Sequence, residues 1–173
     1  MRFEPLAIAA ALLATSAHAA VVSTSSVGFK IENRATVAAT PEQVWTALSD
    51  VGGWWTSEHT YSGSASNMTM PLKVGGCFCE ALPGGGVEHG RVIAVMPEQK
   101  LLRVQAALGP LQDKGVAAVL TFQVKPTPGG SEIIESYNVG GATADVIQMA
   151  PVVDQVLAAQ LKGLKAYVDP PMP

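Results

Sequence analysis

Cys77-Phe78-Cys79-Glu80-Ala81-Leu82-Pro83-Gly84-Gly85-Gly86-Val87-Glu88-His89-Gly90-Arg91-Val92 reads as two extended segments joined by a Pro/Gly turn. The same pattern continues on both sides. Short apolar runs at Met68–Met70, Cys77–Leu82, Val87–Met96, Leu101–Leu108, Val116–Lys125 and Ile133–Val139 are separated by turn chemistry such as Pro97-Glu98-Gln99 and Thr127-Pro128-Gly129-Gly130. Only antiparallel neighbours can be joined by so few residues, so the runs form a meander. Upstream, Phe29, Ile31, Ala35 and Val37 alternate with Lys30, Glu32, Arg34 and Thr36, the mark of a half-buried first strand. Thr40-Pro41-Glu42-Gln43 then supplies a capping box with Pro at the first helical position, and Val44, Trp45 and Leu48 form the buried stripe of a short helix. Gly52-Gly53 interrupts it, and Trp54-Trp55 open a second short element. Downstream, Val153, Val156, Leu157, Gln160, Leu161, Leu164 and Val168 recur at spacings of three and four, which gives a long amphipathic helix from near Pro151. The expected fold is α+β, with a curved antiparallel sheet of about seven strands wrapped around the C-terminal helix and two short helices after the first strand.

Composition limits the function classes. The chain has 173 residues, 48% of them hydrophobic and 14% charged, enough apolar side chain to bury a core. Its 11 Lys and Arg are scattered among 14 Asp and Glu, without the basic stripe that nucleic acid selects, so no nucleic-acid partner is expected. Met1-Arg2-Phe3, an apolar run Leu6–Ala14 and Ser16-Ala17-His18-Ala19-Ala20 have the layout of a signal peptide cleaved near Ala19. That run is too short to span a bilayer, and no transmembrane segment is expected in the mature chain. The expected plan is a signal peptide over 1–19, a flexible lead over 20–28, one domain over 29–168 and a tail over 169–173, in a periplasmic or secreted protein. Oligomeric state, monomer or dimer, is left open.

Register decides which side chains share a face. With Pro83–Gly86 as a four-residue loop, Leu82 pairs with Val87, Glu80 with His89 and Phe78 with Arg91. With Met96 opposite Leu101, Val95 meets Leu102, Ile93 meets Val104 and Arg91 meets Ala106, whereas Arg103 and Gln105 take the wet face. At the last hairpin Val124 pairs with Ile133, Phe122 with Glu135 and Leu120 with Tyr137. An apolar face results that also carries Glu80, His89, Arg91, Glu135 and Tyr137. One extra residue in a strand would invert the assignment beyond it. Buried polar groups need partners, and the sequence allows two explanations: an ion-pair cluster at the sheet rim, with Arg91 bridging Glu80, or an apolar cavity in which these groups orient a ligand. In the second case Glu80, His89 and Glu135 are the candidates for acid/base work, with Arg91 beside a developing oxyanion. Phe78, Val104, Phe122, Met68 and Met70 would line the cavity, and Trp54 and Trp55, followed by Glu58, His59 and Tyr61, would form its mouth. Cys77 and Cys79 point to the opposite face from Glu80 and His89, which argues against a metal site and for two half-buried thiols. Residues two apart on an extended strand, as these are, lie near the upper limit of Cα separation for a bridge. No cofactor motif is present: Gly84-Gly85-Gly86 lacks a following helix to aim its amides at phosphate.

Ala39-Thr40-Pro41-Glu42-Gln43-Val44-Trp45, Trp54-Trp55, Val74-Gly75-Gly76-Cys77-Phe78-Cys79-Glu80, His89-Gly90-Arg91-Val92, Leu101–Leu111 and the Leu-rich terminal helix together resemble the START-like SRPBCC superfamily. The likeness is to its branch of polyketide cyclases and activator of heat-shock-protein-90 ATPase homologues, and it covers residues 29–168. It implies a helix-grip fold with a cavity between sheet and terminal helix, and so favours the cavity over the rim cluster. It implies a small hydrophobic or amphipathic ligand, or, as the alternative, a cyclase/dehydratase reaction by a Glu/His pair. No catalytic residue is carried over, because the superfamily places many activities on one scaffold. The leader departs from the cytosolic chaperone-activator members.

Overall fold

The alternating stretch Gly28–Val37 forms strand β2 of the computed structural model, which describes residues 21–169. Its inward side chains Phe29, Ile31, Asn33, Ala35 and Val37 are buried. Helix α1 follows over Pro41–Ser49. Its capping box is complete: the Thr40 hydroxyl accepts from the Gln43 amide at 3.3 Å, and the Gln43 side chain accepts from the Thr40 amide at 2.8 Å. After the short helix α2 (Val51–Trp54) come β3 (Met68–Thr69), β4 (Cys77–Leu82), β5 (Gly85–Met96), β6 (Leu101–Gln105), β7 (Ala117–Thr127) and β8 (Gly130–Gly140). The chain ends in α3 (Ala144–Ile147) and the long α4 (Ala150–Val168).

One antiparallel sheet of eight strands holds these pieces in the order β1-β2-β8-β7-β6-β5-β4-β3, with β1 over Val21–Ser25. The sheet is curved and unclosed and grips α4, the expected α+β helix-grip arrangement with one more strand. That strand, β1, lies in the stretch expected as a flexible lead; it pairs with β2 because the hairpin turn before Gly28 returns the chain along the sheet edge. The leader expected over 1–19 and all but the first residue of the tail lie outside the described residues. Helix α4 turns Leu157, Leu161 and Leu164 inward and packs on β2, α1 and α2. Gly163 permits the closest approach: a Cβ there would lie 2.3 Å from the Trp54 carbonyl oxygen.

The last hairpin keeps its expected register, with Val124 opposite Ile133, Phe122 opposite Glu135 and Leu120 opposite Tyr137. The β4–β5 hairpin does not. Its turn is only Pro83-Gly84, with Gly84 at a φ of +76°, so Leu82 pairs with Gly85 and Glu80 with Val87. A bulge then inserts His89 between the pairs Cys79–Glu88 and Phe78–Gly90. Gly90 makes the bulge possible, since a Cβ there would meet the Ala106 Cβ and the Gln105 carbonyl at 2.5 Å. A second irregularity between Val92 and Ala94 puts Val92 opposite Val104 and leaves Ile93 outside, 44% exposed.

Candidate functional site

Glu80 on β4 and His89 on β5 are both buried, and their contact survives the changed register: Val87, opposite Glu80, shares its face, and so does His89 two residues on, whose Nε2 lies 2.9 Å from Glu80 Oε2. The same carboxylate accepts from the Tyr61 amide at 3.0 Å and from the Ser62 amide. Burial alone would raise the Glu80 pKa, but the hydrogen bonds from Ser62, Tyr61 and His89 outweigh it and hold the group down at about 2. An ionised carboxylate only accepts, so Nε2 of His89 is the donor between them, and in the neutral ring Nδ1 is the acceptor. Glu80 therefore orients the imidazole and ties down the segment that follows Trp55.

His89 opens onto a cleft of about 430 Å3 between that segment, the turn 108–110 and the first half of α4. Every wall is pinned by a specific bond. Gln160 of α4, fully buried, accepts from the Thr56 amide at 2.9 Å and donates to the Thr56 hydroxyl at 3.0 Å. The Trp55 indole donates to the His59 carbonyl at 3.1 Å. Opposite, the Tyr137 hydroxyl donates to the Ala106 carbonyl at 2.8 Å and accepts from the Leu108 amide at 3.1 Å. Burial raises the Tyr137 pKa, so this phenol stays neutral. Met149, Val152, Val153, Val156 and Leu157 supply the apolar wall. No Lys, Arg, Asp or Glu is among the lining residues.

The residues expected at a site separate into groups. Trp55 and His89 line the cleft, and His59 and Tyr61 stand at its mouth as expected of an aromatic rim. Phe78 lies one layer behind, its ring 5.3 Å from both Trp55 and His89. Trp54, Met68, Met70, Val104, Phe122 and Tyr137 are buried in the core and are not among the lining residues. Trp54 plugs the space under α1, donating its indole N–H to the Ala47 carbonyl at 2.9 Å. Arg91 is a correction: the bulge carries it to the outer face, where its side chain is 53% exposed and pairs with Glu88. It cannot bridge Glu80 or reach an oxyanion in the cleft.

Glu135 points inward as expected but lies under α4, away from the lining residues. Asn33 Nδ2 donates to its Oε2 at 3.3 Å, and Asp154 of α4 is close enough to repel it. Burial is the main cause that pushes the Glu135 carboxyl up to about 8; the Asn33 hydrogen bond opposes this and the Asp154 charge adds to it. Burial also raises Asp154. Asn33 Oδ1, Glu135 Oε1 and Asp154 Oδ1 are buried without a partner. At neutral pH a proton on Glu135 supplies the donor that this group of acceptors lacks.

Cys77 and Cys79, expected as two thiols, are joined in a disulfide across Phe78. The strand is contracted there, with a Cα–Cα distance of 5.2 Å, inside the range a bridge takes. Potential donor atoms of Cys77, Cys79 and Glu88 gather within 4.8 Å, but both sulfurs are committed to the bridge.

Sequence reasoning passed over the α4 wall, Gln160 as a pin and the Asn33–Asp154 pair. The signals were present: Asn33 has the inward phase of β2, and Asp154 stands three and seven residues before Leu157 and Leu161 on the buried stripe of α4.

A curved, open sheet wrapped around a terminal helix, with an apolar cleft opening beside that helix, defines the START-like, helix-grip class of protein. Residues 28–169 match the family model described as "Polyketide cyclase / dehydrase and lipid transport", and the chain belongs to that family. No curated protein matches the sequence. Similar solved structures include a Mesorhizobium loti protein at 17% identity and a TM-score of 0.60, covering 83% of this chain and 99% of the other. The Aha1 dimer from Colwellia psychrerythraea is similar at 18% identity and a TM-score of 0.60, covering 83% and 98%. Norcoclaurine synthase from Thalictrum flavum, in complex with a transition-state analogue, is similar at 22% identity and a TM-score of 0.56, covering 84% and 97%. Likeness at these identities is likeness of fold. No helix of the described residues is long and apolar enough to cross a membrane.

Proposed function

We propose that the protein is exported and binds a small hydrophobic or amphipathic molecule in the cleft beside α4. The observation that carries this is the cleft itself: about 430 Å3, walled by aliphatic and aromatic side chains, with His89 as its buried polar group. Small-molecule sites commonly have this size and balance. A lining without charged side chains favours an uncharged ligand with one hydrogen-bonding group, since an ionic head would lose its hydration without a partner. Family membership supports the same class of ligand, and the leader layout of residues 1–19 supports export. Native mass spectrometry of protein recovered from the exported fraction is expected to show a one-to-one adduct. Added ligand at a hundred times its Kd should stabilise the fold by about 2.7 kcal/mol. Val153→Trp, which fills the cleft, should abolish both effects. No adduct and no stabilisation in the unsubstituted protein, or both effects undiminished in Val153→Trp, would sink this reading.

The Glu80–His89 pair favours a second reading, a cyclase- or dehydratase-type enzyme. Its carboxylate is held ionised and assigns the proton of His89 to Nε2, which frees Nδ1 to take a proton from a carbon acid beside a carbonyl. The check is deuterium uptake from solvent at the α-carbon of a bound carbonyl compound, which His89→Gln should lower about a hundredfold or more. Binding without any exchange would leave the first reading alone.

A further inference from the structure

The Cys77–Cys79 bridge and the bulge that contains His89 lie directly across from each other. Cys77 pairs with Arg91 and Cys79 with Glu88, and His89 is the extra residue between those pairs. The bridged step is short: two residues of an extended strand span roughly 6.6 Å, against 5.2 Å between these Cα atoms. A contracted step on β4 faces an extra residue on β5, so the two deviations match in length. Between the cysteines stands Phe78, whose ring touches His89 and Trp55, and directly after them stands Glu80.

We infer that the Cys77–Cys79 disulfide is a reversible redox site whose natural partner is a dithiol, and that its state sets the bulge which holds Glu80 and His89 together. Two features make the bond exchangeable rather than a mere staple. A bridge over one intervening residue removes little entropy from the unfolded chain and so contributes little to stability. Both cysteines are half-buried on the outer face of the sheet, within reach of an attacking thiolate. A thiolate of the dithiol attacks Cys79 Sγ, the S–S bond breaks, and its electron pair leaves on Cys77 Sγ. The second thiol of the reagent then attacks the mixed disulfide and releases Cys79. The protein gains two electrons, and two protons as the thiolates are protonated, while the dithiol departs as its own disulfide. Without the bridge β4 regains extended length, Phe78 shifts against His89, and Glu80 loosens its hold on the amides of Tyr61 and Ser62.

The test is alkylation followed by hydrogen exchange on the full mature chain, oxidised and after reduction with dithiothreitol. Both cysteines are expected to resist iodoacetamide until reduced. In the reduced protein the amides of Tyr61 and Ser62 and those of His89–Arg91 should exchange at least tenfold faster, and reoxidation should restore their protection. Cys77→Ser/Cys79→Ser should match the reduced state, with reduction of the unsubstituted protein as the measurement that stands if the variant fails to fold. Alkylation without reductant, resistance of the native bridge to millimolar dithiol, or unchanged exchange after reduction would each overturn the inference. None of these readouts uses the ligand, so the proposed binding function stands or falls separately.

Discussion

Two inward carboxylates illustrate how much surroundings decide at the scale of a residue. Glu80 is met by two backbone amides and an imidazole and stays charged, whereas Glu135 has one amide donor and a neighbouring Asp154 and keeps its proton to about 8. Their effects on stability fall in different pH windows. Glu80, depressed on folding, contributes stability that is present above the unfolded value of 4.5 and is lost as pH falls from there towards about 2. Glu135 is raised on folding, so its contribution is present below 4.5 and is lost as pH rises from 4.5 to about 8. Glu135→Gln keeps the shape and removes the titration. The urea unfolding free energy of the variant minus that of the parent should therefore climb by up to about 4 kcal/mol between pH 4.5 and 8. A flat difference across that window would show that Glu135 is not a sealed acid. Alternation made the inward phase of Glu135 legible in the sequence, and it marked Asn33 equally well. That Asp154 meets them was not legible, because α4 and β8 approach only when the helix is docked.

At the scale of elements, the walls of the cleft are loops held by single side chains. Tyr137 is the clearest case, since its hydroxyl satisfies a carbonyl on one side of the 106–108 bend and an amide on the other. Tyr137→Phe leaves both backbone groups without that partner and should cost about 1–3 kcal/mol in unfolding free energy, with faster hydrogen exchange at Leu108. A loss under about 0.5 kcal/mol would show that water replaces the hydroxyl. The capping box of α1 and the register of β7–β8 could be read residue by residue, because each is set by chemistry within a few positions of the chain. The β4–β5 hairpin could not. Four turn-forming residues in a row, Pro83 to Gly86, permit more than one turn length, and a bulge leaves no local mark except the glycine that allows it. That one element moved Arg91 outward and changed the candidate site from a face of five polar groups to a single pair and its cleft.

Across the whole molecule, β2 sits next to β8, and α4 lies against β2, α1 and α2. These contacts join the beginning of the fold to its end. The α+β order of elements, the amphipathic terminal helix and the inward polar residues Glu80, His89, Glu135 and Tyr137 were determined by the sequence alone, because periodicity and turn chemistry act over a few residues. Where the cleft opens, which inward polar groups reach it and that the two cysteines bond were decided only by the tertiary structure. Those outcomes depend on bulges and on the docking of α4, and a bulge or a helix position follows from the balance of packing over the whole core rather than from any short stretch of chain.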